Sequence, residues 1–304
     1  MRIRMFCDWD RDSVGLVQQL WQQTSGYDIQ HSLTFSPSEG WMEFPLGLSD
    51  RGVTFVGDDS YTHAVLFNQP TVDLSCPKEN VICLLLEPPE IMSYQNLEGI
   101  RRFSFCDGHG VETAYGLGFA TVPVHSNFKM WAKARFEDRS HRNGMCMMVS
   151  DKLLTPYHFR RHEIRDAILA TDLPIDFYGR NMASSDDPRV KGEIPFGQKG
   201  EVFRNYQRVI DFENSPHGAV TDKFFDPILT YTVPVSNAGI LHELAPGAFD
   251  FVDFSAPMPD ILRMLEHLVE APVDEYAEPV EKARNELLMG KLNLARWIVE
   301  KLSE

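Results

Sequence analysis

The strongest constraint on this chain is a short stretch in its C-terminal half, where an apolar run is followed by turn residues and then by a helix signal. Residues 209–212 are mainly apolar and predict a buried strand, and the Asn, Ser, Pro and Gly residues between 214 and 218 predict a turn. Thr221 is placed as a helix N-cap, because four apolar residues follow it at helical spacing: Phe224, Phe225, Ile228 and Leu229. A strand, a short loop and a helix start together indicate an α/β fold.

This junction is also where α/β folds bind phosphate groups, since backbone N–H groups and the positive end of the helix dipole point outward there. Lys223 lies in the first turn of the predicted helix, where a cation is disfavoured. An anionic ligand would remove this conflict, and the alternative is a solvated lysine on the surface. The spacing alone leaves both interpretations open.

The charge composition bears on the kind of ligand. The net charge of −15, from 29 basic and 44 acidic residues, argues against a nucleic-acid-binding surface. A diphosphate would therefore need positive charge gathered locally. The chain of 304 residues is long enough for two domains with separate cores.

The cysteines and the hydropathy pattern indicate a cytoplasmic protein. The five cysteines are scattered without a CxxC pair, which is typical of reduced thiols, and Cys7, Cys83 and Cys146 lie in apolar runs that predict core positions. Neither a signal peptide nor an apolar stretch of about 20 residues is found, so we expect no integral membrane segment.

A candidate catalytic carboxylate lies in the N-terminal half. Residues 81–86 form a continuous apolar run that predicts a central parallel strand, and Glu87 follows at its end. Active residues in open α/β sheets lie just past the carboxyl ends of strands, which makes Glu87 a candidate and Glu90 the second choice. The alternative is an exposed loop carboxylate. His109 is interpreted as an ordinary turn residue.

Three aspartates near the N-terminus, Asp8, Asp10 and Asp12, alternate after a predicted first strand. Carboxylates at this spacing could hold a divalent metal. A polar turn in which Asp12 caps the following helix is the better interpretation, so no metal site is predicted.

Five further segments carry a family resemblance. Residues 212–215 read FENS, residues 221–223 read TDK and residues 233–235 read VPV; residues 176–180 read DFYGR, and residues 244–254 read LAPGAFDFVDF. In this order and spacing they resemble the donor-binding motifs of the α1,3-fucosyltransferases (glycosyltransferase family 10). The resemblance covers about residues 146–256.

The resemblance implies an α/β fold of the GT-B architecture, with two Rossmann-like domains facing a central cleft. We place an acceptor-side domain at residues 1–143, with the connection in residues 127–143. A nucleotide-sugar-binding domain is placed at residues 144–304. It ends in one long helix, predicted from the apolar stripe over residues 280–302.

The resemblance also implies an inverting transfer of fucose from GDP-fucose to a hydroxyl group of a glycan, without a cofactor or a metal. Glu87, in an E-x-P context, would be the general base. The family has a diphosphate-binding arginine at the start of the helix predicted over residues 159–169. Arg160 and Arg161 are the candidates, and the seven-residue step to Ile168 favours Arg161. Lys223 would also offset charge on the diphosphate.

The resemblance assigns donor binding to Asn214, Ser215 and Asp222 as well as to Arg161 and Lys223. Three departures concern this pocket: the spacer before Thr221 is one residue shorter, the family's tyrosine is Ala219, and the family's glutamate is Asp222. Another NDP-sugar donor, a sugar hydrolase or phosphorylase, and a non-catalytic glycan-binding relative therefore stay open.

Overall fold

The computed structural model describes residues 1–7, 52–56, 58–70, 72–106, 108–114, 142–180, 186–195, 198–215, 219–288 and 290–304. The chain divides into two compact units. The first contains Met1–Val124 and Asn285–Glu304, and the second contains His125–Arg284. Each unit has one parallel sheet, which confirms the predicted α/β class. The three N-terminal aspartates lie outside the described residues.

The sheet of the first unit has six described strands in the order β2-β1-β3-β4-β5-β6, and all of the pairings are parallel. The strands are β1 Arg2–Cys7, β2 Thr54–Phe55, β3 His63–Phe67, β4 Val81–Leu85, β5 Arg101–Ser104 and β6 Glu112–Thr113. A 3-10 turn at Lys78–Asn80 precedes β4. Every residue of β4 is buried, as expected for a strand with a neighbour on each side and both faces covered. The predicted central strand is confirmed.

The sheet of the second unit has six described strands in the order β12-β11-β10-β7-β8-β9, again with parallel pairings. The strands are β7 Asn143–Met148, β8 Ile175–Tyr178, β9 Val190–Gly192, β10 Tyr206–Ile210, β11 Val233–Ser236 and β12 Asp250–Phe251. The chain builds outward from β7 in one direction and from β10 in the other. The strand order therefore reverses between β7 and β10, and such a reversal opens a crevice at the carboxyl edge of a sheet.

Seven helices occur among the described residues: α1 Pro156–Leu169, α2 Lys199–Phe203, α3 Asp222–Leu229, α4 Leu241–Leu244, α5 Met258–Glu270, α6 Ala277–Leu288 and α7 Leu294–Ser303, with a 3-10 turn at Asp274–Tyr276. Helix α1 begins three residues earlier than predicted. The Thr155 hydroxyl caps it by accepting from the His158 N–H, and Pro156 takes the first helical position, where its fixed φ is favourable. Ile164 and Ile168 of α1 are fully buried in the core of the unit.

The C-terminal residues correct the prediction of one long helix in the second domain. The apolar stripe over residues 280–302 is divided between α6 and α7, and Asn293 caps α7 by accepting from the Arg296 N–H at 3.1 Å. Ile298 is fully buried in the core cluster that β1, β3, β4 and β5 supply in the first unit. Trp297 packs edge-on against Phe103, with ring centroids 4.8 Å apart. An apolar stripe of constant period does not show that the helix is interrupted. It also does not show which sheet α6 and α7 each cover.

We expect the substitution Gly290→Ala, in the segment between α6 and α7, to lower the stability of the protein. A Cβ at Gly290 would lie 2.8 Å from the Glu286 Cα, which forces the backbone to move. Overpacking of this kind costs about 1–3 kcal/mol, measured as the free energy of unfolding in urea. Gly239→Ala is the matched control, because no atom lies within 4 Å of a Cβ built there. Equal stability of the two variants would contradict the conclusion that the fold has no room for a side chain at Gly290.

Candidate functional site

A cavity of about 530 Å³ lies past the carboxyl ends of β7, β8, β9 and β10 in the second unit. Its lining combines the ends of these strands and the loops that follow them with side chains from three helices: Met148, Val149, Ser150, Asp151, Lys152, Gly179, Arg180, Glu193, Ile194, Pro195, Asp211 and Asn214, then Arg161, Lys199, Asp222 and Lys223. The cavity is thus at the edge where the strand order reverses. This is where open α/β sheets bind ligands.

The Arg161 guanidinium bridges the two strands at which the order reverses. One terminal nitrogen donates to the Asn214 Oδ1 at 2.9 Å, past β10, and the other donates to the Ser150 Oγ at 2.6 Å, past β7. Both partners are neutral, and no carboxylate among the described residues pairs with this arginine. The side chain is buried, and its Nε–H lacks an acceptor among the described residues. Burial lowers the pKa of Arg161, although Asp211 and Glu213 act in the opposite direction. A buried cation with unused donors therefore lines the cavity.

The structure separates the two candidate arginines. The Arg160 guanidinium donates to the backbone carbonyls of Phe254 and Ala256, at 3.2 and 2.7 Å, and pairs with Glu163. Its contacts tie α1 to the segment that precedes α5, and it is not among the lining residues. Of the pair, only Arg161 contacts the cavity.

The predicted strand, loop and helix start around Thr221 are confirmed. Strand β10 ends at Ile210, and the Thr221 hydroxyl caps α3 by accepting from the Lys223 N–H at 3.4 Å. The Lys223 Nζ donates to the same hydroxyl at 3.1 Å and pairs with Glu213 at 3.4 Å. The Lys223 side chain is 14% exposed, so the interpretation as a solvated surface lysine is wrong. A carboxylate of the protein itself offsets the unfavourable cation.

Glu213 is a site residue that the sequence analysis missed, although it lies within the FENS stretch. Its carboxylate accepts from the Thr221 N–H at 2.9 Å and from the Thr221 hydroxyl at 3.0 Å. Its own N–H donates to the Asn237 Oδ1 at 2.7 Å, which connects the loop to the segment after β11. Burial raises the pKa of Glu213, against the opposing effect of Lys223.

Lys199, the first residue of α2, is the second residue that the sequence analysis missed. Its Nζ lies 2.9 Å from the Asp222 carboxylate, 2.9 Å from that of Asp226 and 3.5 Å from that of Asp211. Burial acts to lower the pKa of Lys199, but the three carboxylates outweigh it and raise that pKa. Burial opposes the shift at Asp222 as well, yet Lys199 and Lys223 lower its pKa. Asp222, predicted to bind the donor, is thus held by Lys199 at the cavity wall.

Of the other residues predicted to bind the donor, one lines the cavity and one does not. Asn214 lines the cavity and holds Arg161, whereas Ser215 is buried and absent from the described lining. Ala219, in place of the family's tyrosine, is also buried. Residues 216–218 lie outside the described residues.

Glu87 follows β4 in the first unit, and its backbone is held on both sides. Its N–H donates to the Tyr94 hydroxyl at 2.9 Å, and its carbonyl accepts from the His109 Nε2 at 2.9 Å. Asn68, in the left-handed region with φ 71°, accepts from the Leu86 N–H at 3.0 Å through its Oδ1. His109 lies in the predicted turn, and its ring also holds the Glu87 carbonyl in place.

The side chain of Glu87, unlike its backbone, is not held by hydrogen bonds to the described residues. It is half-buried, and its carboxylate makes no hydrogen bond or ion pair to the described residues. Glu90 is exposed and lies in the turn that follows. That Glu87 is a general base stays a prediction, because the structure shows only a fixed backbone and a carboxylate without a partner among the described residues.

Comparisons with known proteins bear on the fold. No protein-family model and no curated protein matches the sequence. Many solved structures resemble the chain, and three of them show the extent of the likeness. The crystal structure of an α1,3-fucosyltransferase has a TM-score of 0.55 at 14% identity, over 99% of this chain and 90% of that one. An alpha-glucosyltransferase in complex with UDP-glucose and DNA containing an abasic site has 0.56 at 11%, over the whole of both chains.

The third structure is AviGT4, a glycosyltransferase involved in Avilamycin A biosynthesis, with a TM-score of 0.54 at 12% identity, over 100% of this chain and 97% of that one. At these identities the likeness shows the fold alone. The chain has the GT-B fold, built from two Rossmann-like units, as the resemblance implied. Among the described helices, none has the length and apolar character that crossing a membrane requires.

We expect His158, one turn before Arg161 on α1, to make stability depend on pH. Its side chain is fully buried, its Nε2 has no partner among the described residues, and burial with the nearby Arg161 lowers its pKa from 6.5 to about 4. Between these values the unfolded chain binds the extra proton, so stability falls as the pH drops from 6.5 to 4. His158→Gln should lose less stability than the wild type between pH 7 and pH 5 in urea unfolding. Exposed His267→Gln is the control and should follow the wild type.

Proposed function

We propose that this chain is a glycosyltransferase that binds the diphosphate of a nucleotide-sugar donor in the cavity of the second unit. The observation that carries the proposal is Arg161, a buried cation with neutral partners that bridges β7 and β10 where the strand order reverses. The cavity of about 530 Å³ lies within the range of about 300–1,000 Å³ that is usual for small-molecule sites. The fold likeness to glycosyltransferases supports this class.

Arg161 suits a diphosphate for two reasons. Its planar fork can bind phosphate oxygens bidentately, and two of its N–H donors are already fixed by Asn214 and Ser150. Its side chain is also buried, so this pre-organised cation would stabilise the charge that grows on a leaving diphosphate. Lys223, in the first turn of α3, lines the same cavity and would add positive potential.

GDP-fucose is the donor that we propose first. The support is the FENS and TDK segments, now positioned beside the cavity, together with a structural neighbour named as an α1,3-fucosyltransferase. A second donor class, a UDP-sugar, is also considered, because Asp222, at the family's glutamate position, is paired with Lys199 and this weakens the case for the family's own donor. A neighbour of the same fold was solved with UDP-glucose.

We propose Glu87 as the general base of a single inverting displacement. The acceptor oxygen attacks the anomeric carbon as the bond from that carbon to the diphosphate oxygen breaks, and the acceptor proton passes to Glu87. The uncommitted carboxylate on a fixed backbone supports this role. The proposed acceptor is a glycan hydroxyl, since a net charge of −15 opposes binding of a nucleic acid such as the DNA seen with one neighbour.

Calorimetric titration with GDP, UDP, ADP and dTDP, with and without magnesium, tests the proposal. GDP-selective binding supports GDP-fucose, and selective binding of UDP supports the second donor class. Arg161→Lys should weaken binding of the preferred nucleotide at least tenfold, about 1.4 kcal/mol, because a point charge replaces the planar fork.

Arg160→Lys is the matched control for Arg161→Lys, since the neighbouring arginine donates to backbone carbonyls away from the cavity and should leave affinity unchanged. Absence of binding by all four nucleotides would refute the proposed function. Equal affinities of the two variants would refute the assignment of Arg161 to the diphosphate.

Glu87→Gln separates the base from the donor site. We expect turnover to fall by about 10²–10⁴-fold, because glutamine cannot accept the proton, while nucleotide affinity stays at the wild-type value. Glu90→Gln, in the exposed turn, is the control and should retain activity. Initial rates with a panel of glycan acceptors provide the measurement. Full activity of Glu87→Gln would remove Glu87 from the mechanism, and the anomeric configuration of the product decides between inversion and retention.

A further inference from the structure

Three carboxylates converge on one ammonium group in the wall of the cavity. The Lys199 Nζ is within 2.9 Å of Asp222 and Asp226 and within 3.5 Å of Asp211. The Asp226 side chain is fully buried and that of Asp211 is 7% exposed, so water screens these charges weakly. Among the described residues no cluster of His, Cys, Asp and Glu has the geometry of a metal site. The centre of this cluster is occupied by the lysine.

Lys199 decides the electrostatic balance of the cavity. The charged cluster holds three cations, Arg161, Lys199 and Lys223, beside four carboxylates, Asp211, Glu213, Asp222 and Asp226; all but Lys199, Lys223 and Asp222 are buried. Without Lys199, three carboxylates would face one another across the position of its ammonium group. Their repulsion would extend to any anion that enters, because like charges interact strongly where water is scarce. An anionic ligand is compatible with this wall only when the carboxylates are compensated.

We propose that Lys199 is a built-in counter-cation, which takes the place of a divalent metal among Asp211, Asp222 and Asp226 and so lets the cavity accept a nucleoside diphosphate. Lys199 is a positioning residue on this view, since it acts on the ligand through the three carboxylates. The claim that the ligand is a nucleotide rests on the proposed function. The claim that Lys199 occupies a cation position among the carboxylates does not.

The proposal predicts that removing the ammonium group creates a site for a metal ion. Methionine keeps most of the apolar stem of lysine and carries no charge. Calcium prefers carboxylate oxygens at about 2.3–2.6 Å, so inward movement by about half an ångström at Asp222 and Asp226, and by about one ångström at Asp211, would suffice. Lys199→Met should therefore bind Ca²⁺, and the wild type should not.

The first measurement is thermal unfolding in EDTA and in millimolar CaCl₂. We expect Ca²⁺ to raise the Tm of Lys199→Met by about 3 °C or more and to leave the wild type unchanged, because a ligand that binds the folded state alone stabilises it. Lys199→Met/Asp226→Asn should lose the Ca²⁺ response, since one of the three carboxylates is gone. A folded Lys199→Met without any Ca²⁺ response would overturn the proposal.

Lys191→Met is the matched control for general surface effects of calcium. The Lys191 Nζ pairs with one carboxylate, that of Asp176, at 3.3 Å, and it does not line the cavity. Its Tm should not respond to Ca²⁺, and a response equal to that of Lys199→Met would overturn the proposal. Should Lys199→Met be unfolded in EDTA, refolding in CaCl₂ is expected to restore the near-ultraviolet circular dichroism of the wild type. Failure to do so, while the double variant folds in EDTA, would count against a cation position.

Measurements of nucleotide affinity show whether Lys199 acts by compensating the carboxylates or by contacting the ligand directly. We expect Lys199→Met to bind the preferred nucleoside diphosphate at least tenfold more weakly than the wild type, and Lys199→Met/Asp226→Asn to recover most of that affinity. Equal loss in both variants would mean that Lys199 contacts the ligand itself and would overturn the compensating role. If the wild type binds no nucleotide, the proposed function fails, and the calcium measurement still decides the role of Lys199.

Discussion

The contact on which the second unit depends is the bridge that Arg161 makes between the segments after β7 and β10. Neighbouring parallel strands are held by backbone hydrogen bonds, but those bonds stop where the strands end, and at this point the chain diverges to opposite sides of the sheet. Asn214 and Ser150 take up the guanidinium there, and both are neutral. The bridge therefore closes the edge of the sheet without cancelling the charge of the arginine.

The remaining charges of the cavity are arranged differently. Lys223 is compensated by Glu213, and Lys199 by three aspartates, so each of these lysines belongs to an ion-paired group within the wall. Among Arg161, Lys199 and Lys223, the two lysines thus neutralise carboxylates, whereas Arg161 has only neutral hydrogen-bond partners among the described residues. In a chain with a net charge of −15, Arg161 thereby supplies the local positive charge that the proposed anion site requires.

Those parts of the fold that depend on local sequence could be predicted. The apolar run of β4 and the Thr221 cap need only neighbouring residues, and each was found close to its predicted position. Lys199 and Asp222 are 23 residues apart, and no local pattern marks either as the partner of the other. The break between α6 and α7, near Gly290, could not be predicted because the local pattern is misleading there. The apolar stripe continues across the break, although the chain changes the sheet that it covers.

Helix α7 also sets the order in which the two units can be completed during synthesis. The second unit, His125–Arg284, is contained within one continuous stretch of chain, while the first needs segments from both sides of it. At roughly 5–20 residues per second, the ribosome spends on the order of ten to thirty seconds between the two parts of the first unit. Throughout that interval the face of the first sheet that Leu294 and Ile298 cover stays open to solvent or to a chaperone.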